Sequence, residues 1–167
     1  MTEPLVGTCF ADGEEAMVAL GQQIGAALEP PLLVFLTGDL GMGKTTLARG
    51  ILRAFGHDGA VKRPTYTLVE PYELGGLTLY HFDLYRLGDP EELEYMGIRD
   101  YFDARSMSLV EWPERGAGFL PAADVVISIE KAGTGRILRF EALGERGVEC
   151  LRQLPIEPAI PGNSRVQ

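Results

Sequence analysis

The stretch that decides the fold covers residues 32–46 and reads LLVFLTGDLGMGKTT. Its first five residues are all apolar, which is typical of a strand covered on both faces in the middle of a parallel sheet. Residues 38–45 then match the pattern G-x-x-x-x-G-K-[ST] at every fixed position. Residues 45–55 follow as a predicted helix that ends near Gly56. A strand, a glycine-rich turn and a helix in this order predict a phosphate-binding loop, called the P-loop below.

The residue types of the P-loop suit a nucleotide with bound Mg²⁺. Glycines let backbone N–H groups turn towards phosphate oxygens, and the N-terminus of the helix adds positive potential. We expect Lys44 to reach the β- and γ-phosphates, Thr45 to offer its hydroxyl to Mg²⁺ and Thr46 to add a contact near the α-phosphate. The other predicted nucleotide contacts come from the rest of the loop: Gly38, Asp39, Leu40, Gly41, Met42 and Gly43.

A P-loop also needs an acid close to Mg²⁺, usually at the end of an adjacent buried strand. Asp83 and Glu111 both end predicted strands. The run before Asp83 contains polar residues and belongs to a hairpin, so it is expected to be antiparallel and partly exposed. The run 107–111 is short, largely apolar and without a hairpin partner, as a parallel neighbour of the P-loop strand should be. We therefore assign Glu111 to the metal and Asp83 to a second catalytic carboxylate that orients a water or supports the metal shell.

Residues 63–68, RPTYTL, lie where many P-loop proteins carry a switch segment. The hydroxyl of Thr65 is a candidate sensor of the γ-phosphate or its Mg²⁺, although an ordinary loop before a strand needs no such role. Tyr85 and Arg86 could face the phosphates or a partner, and an exposed ion pair is the alternative. His81 is expected to have a hydrogen-bonded structural role.

The helix signals are local capping patterns. Asp12 and Glu15 form a capping-box pattern, with Asp12 as the N-cap, ahead of an amphipathic helix that ends before Pro30. A second such signal lies at Asp89-Pro90, where Asp caps and Pro takes the first helical position.

The strand signals complete an α/β fold with a mixed, partly antiparallel sheet flanked by helices. Gly75-Gly76 predicts a hairpin between 67–74 and 77–83. A second hairpin, 125–129 with 137–142, is expected to close the sheet. The chain is predicted to form a single domain over residues 1–153, followed by a loose, proline-rich tail over 154–167.

Composition limits the classes of function. The chain has 167 residues and a net charge of −9, so it is a poor candidate for strong nucleic-acid binding on its own. Its apolar runs are far shorter than the roughly 20 residues of a membrane span, and its start lacks a signal-peptide pattern, so we expect a soluble, cytoplasmic protein that binds no membrane. Cys9 and Cys150 are too few for a disulfide framework or a zinc site.

The absence of guanine-recognition motifs favours ATP over GTP. No aspartate is followed by Gly three residues later, as D-x-x-G requires, and the only asparagine is Asn163. A small-molecule kinase is the alternative that is harder to exclude, because such kinases have a similar size and the same loop. Arg99 and Arg105 could serve such a kinase, but no lid is evident around them.

Four segments taken together resemble one family. They are the P-loop, RPTYTLVEPY at 63–72, HFDLYRL at 81–87 and EWP at 111–113. In this order they are similar to the bacterial TsaE (YjeE) family, the ATPase component of tRNA threonylcarbamoyladenosine biosynthesis, over about residues 12–139. Arg63 departs from the family pattern, which usually has Ser before Pro-Thr.

The resemblance implies a P-loop fold, ATP and Mg²⁺ as ligands, and slow ATP hydrolysis by the chain alone. It implies two partners, the threonylcarbamoyl transferase subunit and the inactive paralogue of that enzyme, which handle the tRNA. By position, Lys44, Thr45, Glu111 and Asp83 match the family's phosphate, metal and catalytic residues, and Thr65 falls in its switch-like loop. Ala11 and Arg136 match positions near the nucleotide base. The open alternatives are a nucleotide-dependent binding module and the small-molecule kinase.

Overall fold

The computed structural model describes residues 5–59, 61 and 68–159, which fold into one mixed sheet with helices on its faces. In chain order the strands are β1 (Leu5–Ala11), β2 (Leu32–Thr37), β3 (Val69–Leu74), β4 (Leu77–Asp83), β5 (Ser106–Glu111), β6 (Val125–Ala132), β7 (Gly135–Ala142) and β8 (Glu157–Ala159). The helices are α1 (Glu14–Ala27), α2 (Lys44–Ala54), the single turn α3 (Glu92–Tyr95) and α4 (Glu145–Arg152).

The predicted P-loop strand, β2, is the parallel centre of the sheet. The strand order is β3-β4-β5-β2-β6-β7-β1-β8, and β2 runs parallel to both of its neighbours. Leu32, Leu33, Val34 and Leu36 are all buried, so side chains on both faces of the strand are covered. The prediction of a covered parallel strand is confirmed, and so is the mixed α/β fold.

Helices α1 and α2 pack together on one face of β2. Their backbones meet at Gly21 and Gly50, where a Cβ added to Gly50 would lie 2.3 Å from the carbonyl oxygen of Val18. A side chain at either position would therefore force the helices apart. Leu47 and Ile51 of α2 are fully buried in the core beneath this contact. The close packing fixes α2, and with it the helix N-terminus that follows the P-loop.

The opposite face of the sheet carries a second apolar cluster. Phe82 of β4 and Val110 of β5 lie in it, together with Leu93 of α3. Residues that alternate along these strands therefore point into two different cores.

Both predicted hairpins are present, but the second does not close the sheet. The first joins β3 and β4, with Leu74 opposite Leu77. The second joins β6 and β7, and β1 then pairs antiparallel with β7 on its far side. Strand β8 pairs with β1, and Leu154 is buried. Part of the segment predicted as a loose tail thus belongs to the fold, while residues 160–167 lie outside the described residues.

Three local predictions need correction. The N-cap of α1 is Gly13, without a side-chain cap, and not Asp12. The carboxylate of Asp89 does accept a hydrogen bond from the N–H of Glu91 at 3.0 Å, but α3 begins only at Glu92. Strand β4, expected to be antiparallel and partly exposed, also runs parallel to β5 and ends in three buried residues. None of the described helices is long and apolar enough to cross a membrane.

Candidate active site

The candidate site lies where three neighbouring strands end. Strands β4, β5 and β2 are parallel to one another in this order, so their carboxyl ends share one edge of the sheet. Asp83 ends β4, Glu111 ends β5 and the P-loop follows Thr37 at the end of β2. This edge is the usual place for ligands in open α/β sheets.

The P-loop has the backbone geometry that its glycines predict. Gly38, Gly41 and Gly43 have φ values of 140°, 77° and 108°, in a region that side chains disfavour. Gly43 is also the N-cap of α2, and its carbonyl accepts a hydrogen bond from the N–H of Leu47 at 2.9 Å. The first N–H groups of α2 therefore have no carbonyl partner inside the helix and can serve an anion at the loop.

Lys44 is held inside the site and not in solvent. Only 3% of the residue is exposed. Its Nζ donates a hydrogen bond to the carbonyl oxygen of Gly38 at 2.5 Å and lies 3.9 Å from the ring centroid of Trp112. A lysine placed there brings a positive charge to the first residue of α2, beside the loop that is predicted to surround phosphates.

Glu111 is fully buried and has one oxygen in use. Its Oε2 accepts from the hydroxyl of Thr45 at 3.5 Å and lies 2.6 Å from Nε2 of His81. Its Oε1 is buried and has no hydrogen-bond partner among the described residues. A carboxylate with an unused oxygen beside a threonine hydroxyl is a hard-oxygen donor set of the kind that Mg²⁺ takes. The residues present therefore fit the metal role predicted for Thr45 and Glu111.

Asp83 lies beside Glu111 at the rim of the site. The two acids are register partners of β4 and β5, and Asp83 is 8% exposed. The Oδ1 atom of Asp83 accepts from the N–H of Tyr85 at 3.1 Å, while the N–H of Leu84 donates to the carbonyl of Glu111 at 3.0 Å. The turn after β4 is thus hydrogen-bonded to both of these residues.

Trp112 forms the wall next to Glu111. It has a φ of 58°, a value that is rare for a residue with a bulky side chain. Its ring lies 5.0 Å from that of Tyr85, and the guanidinium of Arg115 lies 5.5 Å from the Tyr85 ring. Arg86, the other residue predicted to face phosphates or a partner, is exposed.

A pocket of about 310 Å³ extends from the other end of the P-loop. It is lined by residues from the start of α1, the loop and the β6–β7 hairpin: Gly13, Glu14, Met17, Gly41, Met42, Gly43, Thr46, Thr134, Gly135 and Arg136. Ala11 is the register partner of Arg136, but it is itself buried. Of the two predicted base contacts, the structure therefore brings Arg136 to the pocket wall and leaves Ala11 just behind it.

Glu14 ties this pocket to α2. Its Oε1 accepts a hydrogen bond from Nη2 of Arg49. That hydrogen bond and the charge of Arg49 hold the pKa of Glu14 below its ordinary value. This ion pair links the wall of the pocket to α2.

The structure brings Lys44, Thr45, Asp83 and Glu111 to the shared edge of β2, β4 and β5, and it places Thr46 and Arg136 on the wall of the pocket. Asp39 and Leu40 are exposed at the tip of the loop. Thr65 lies outside the described residues. Sequence reasoning missed that His81 contacts Glu111. The signal was the spacing of His81 and Asp83, which are two residues apart on a strand and therefore lie on the same face of the sheet. Sequence reasoning also missed Gly13, Glu14 and Thr134, which carry no motif.

Comparison with known proteins identifies the family. The model of the family described as "Threonylcarbamoyl adenosine biosynthesis protein TsaE" matches residues 11–138. This range includes the P-loop, both acids and Arg136. The chain belongs to the TsaE family. Its matched region ends in β7, and α4 and β8 lie beyond it.

Two relatives and one solved structure agree with this assignment. The chain is 52% identical to TsaE of Haemophilus influenzae over 128 residues, which cover 74% of this chain and 81% of the relative. It is 37% identical to TsaE of Bacillus subtilis over 133 residues, or 79% of this chain and 83% of the relative. The crystal structure of Bacillus subtilis YdiB superimposes with a TM-score of 0.77 at 29% identity, covering 92% of this chain and 97% of that one.

Proposed function

We propose that this chain binds ATP with Mg²⁺ and hydrolyses it in support of tRNA threonylcarbamoyladenosine formation. Membership of the TsaE family supports the pathway. The observation that carries the ATPase proposal is the arrangement of Lys44, Thr45 and Glu111 around one end of the P-loop, with the carboxylate of Glu111 fully buried.

In this proposal the P-loop and Lys44 hold the phosphates. The Nζ of Lys44 leaves the carbonyl of Gly38 and donates to β- and γ-phosphate oxygens, because a charge-assisted bond to phosphate is stronger than one to a neutral carbonyl. Thr45 and Glu111 would hold Mg²⁺. When bound, the metal neutralises the charge that builds on the transferred phosphoryl group. Asp83, at the rim, orients the attacking water.

The pocket lined by Thr46 and Arg136 receives the nucleoside. Its lining includes the β6–β7 hairpin, and β6 lies on the opposite side of β2 from β5, the strand that ends in Glu111. The absence of D-x-x-G and N-K-x-D from the sequence supports ATP as the nucleotide.

We infer that the chain acts on a protein complex and not on tRNA directly. The proposed partners are the threonylcarbamoyl transferase subunit and its inactive paralogue. A net charge of −9 opposes strong binding to a polyanion, so contact with the tRNA falls to the partners. Thr65 is proposed to report the γ-phosphate to them through the 63–68 segment.

The test is steady-state phosphate release with and without the purified transferase pair. We expect weak turnover alone, because no arginine finger is evident among the described residues, and stimulation by up to roughly 10³- to 10⁵-fold when a partner completes the site. Thr65→Ala should reduce the stimulation more than it reduces ATP affinity. Equal rates in all conditions would contradict a partner-driven ATPase, and phosphate transfer to a small acceptor would establish the kinase alternative.

A further inference from the structure

The carboxylate of Glu111 is oriented by a buried histidine that the proposed reaction does not otherwise use. His81 and Glu111 are both 0% exposed, and Nε2 of His81 lies 2.6 Å from Oε2 of Glu111. The residues are 30 positions apart and come together because β4 and β5 are parallel neighbours. An unpartnered buried carboxylate would carry a large desolvation penalty, so this contact is a major determinant of where Glu111 points.

The contact is directional. A carboxylate that binds a metal is ionised and can only accept hydrogen bonds, so Nε2 of His81 must be the donor. The other ring nitrogen, Nδ1, is buried and has no hydrogen-bond partner among the described residues. The ring therefore uses one nitrogen, and that nitrogen is directed at Glu111.

The two carboxylate oxygens of Glu111 differ in their hydrogen bonds. Oε2 is occupied by His81 and, more weakly, by the hydroxyl of Thr45 at 3.5 Å. Oε1 has no partner among the described residues. Holding Oε2 restricts the rotation of the carboxylate and keeps that oxygen next to the hydroxyl of Thr45.

We propose that His81 is a positioning residue, which holds the carboxylate of Glu111 beside the hydroxyl of Thr45, where it serves Mg²⁺ or a water bound to it. The inference rests on the proposed function, since it concerns the same metal site. Hydrogen bonds that orient metal ligands typically affect metal affinity by roughly 10- to 100-fold. His81 itself touches neither nucleotide nor metal in this arrangement.

The experiment measures ATP binding by calorimetry over a series of Mg²⁺ concentrations and in EDTA. We expect His81→Leu to raise the half-saturating Mg²⁺ concentration by roughly 10- to 100-fold, while ATP affinity in EDTA stays unchanged. Phe82→Leu is the matched control, because Phe82 is equally buried on the same strand but faces the other apolar cluster. It should lower the melting temperature without changing the Mg²⁺ requirement.

Two amide variants separate positioning from simple destabilisation. The side-chain amide of Gln extends about as far as Nε2 of His, whereas that of Asn corresponds to Nδ1. His81→Gln should therefore keep most of the wild-type Mg²⁺ response, and His81→Asn should lose it. The reverse order would overturn the proposal, and this comparison remains available if His81→Leu does not fold.

A double-mutant cycle tests whether His81 acts through Glu111. In a Glu111→Gln background, His81→Asn should cause no further loss of the Mg²⁺ response, because the oriented group is already gone. Additive losses would contradict the proposal. If wild type itself binds no ATP, or shows no Mg²⁺ effect, the proposed function fails. If wild type responds to Mg²⁺ and His81→Asn matches it, only the positioning role fails.

Discussion

Asp83 and Glu111 are register partners at the ends of two parallel strands, so their carboxylates leave the same face of the sheet side by side. They are not equivalent. Glu111 is fully buried and bonded to His81 and Thr45, while Asp83 lies nearer the surface and accepts from the turn that follows it. This difference in surroundings is the reason for proposing a metal-binding role for Glu111 and a water-orienting role for Asp83.

Glu111→Gln should reduce ATP hydrolysis by roughly 10²-fold or more while changing nucleotide binding much less, because this acid is proposed to hold the metal, which contributes several kcal/mol of charge stabilisation. Asp83→Asn should also slow hydrolysis but leave the Mg²⁺ requirement unchanged. Phosphate release at several Mg²⁺ concentrations measures both effects. Full Mg²⁺-dependent turnover in Glu111→Gln, with none in Asp83→Asn, would reverse the two assignments.

Lys44→Ala should weaken Mg-ATP binding by roughly 10- to 100-fold, which corresponds to the loss of a hydrogen bond to a charged group. Calorimetry provides the measurement, and Lys131→Ala is the control, since Lys131 is an exposed lysine on β6. A folded Lys44→Ala protein with wild-type affinity would remove Lys44 from the phosphate site.

Arg136→Ala should weaken ATP binding by roughly tenfold without affecting the binding of inorganic tripolyphosphate, because Arg136 lines the pocket that is proposed to receive the nucleoside. Lys44→Ala should weaken both ligands. Competition assays with the two ligands separate these effects, and Arg105→Ala, a change at an exposed residue just before β5, serves as the control. Equal losses for both ligands in Arg136→Ala would move Arg136 to the phosphate side.

The two cysteines give a pH-dependent prediction. Burial raises the pKa of Cys9 and of Cys150 from 9.0 to about 11. Both thiols should therefore react with iodoacetamide far more slowly in the native protein at pH 8 than in denaturant, since the thiolate is the reactive form. The folded pKa lies above the unfolded one, so the related stability is complete below pH 9 and is lost as the pH rises towards 11.

Thermal melts of wild type and of a Cys9→Ala/Cys150→Ala variant check the second part. The melting temperature of wild type should fall more steeply between pH 9 and 11 than that of the variant. Comparing the two proteins removes the effect of other groups that titrate in this range. Parallel curves would show that the cysteines do not contribute.

Much of the site could be predicted because its signals are local in sequence. The P-loop needs only consecutive residues to define strand, turn and helix, and Gly75-Gly76 is enough to define a hairpin. Pairing between strands that are distant in the chain is not indicated by any local sequence pattern. The parallel contact of β4 with β5 was missed for this reason, and with it the meeting of His81 and Glu111.

Strands at the edge were hard to predict for a different reason. Strand β1 has the sequence LVGTCFA, which has no clean alternation, and β8 is three residues long and contains Pro158. A proline is acceptable in a short edge strand, where it also discourages pairing with another chain. The same residue looks like a sign of an unstructured tail when only the sequence is read.

The placement of Trp112 has an optical consequence. It is the only tryptophan in the chain, so the tryptophan fluorescence of the whole protein originates beside Glu111 and under the ammonium group of Lys44. Any ligand that draws Lys44 away from the ring must change the electric field at the indole, and its emission should shift accordingly. The protein thus carries an intrinsic, label-free reporter of the state of its P-loop lysine.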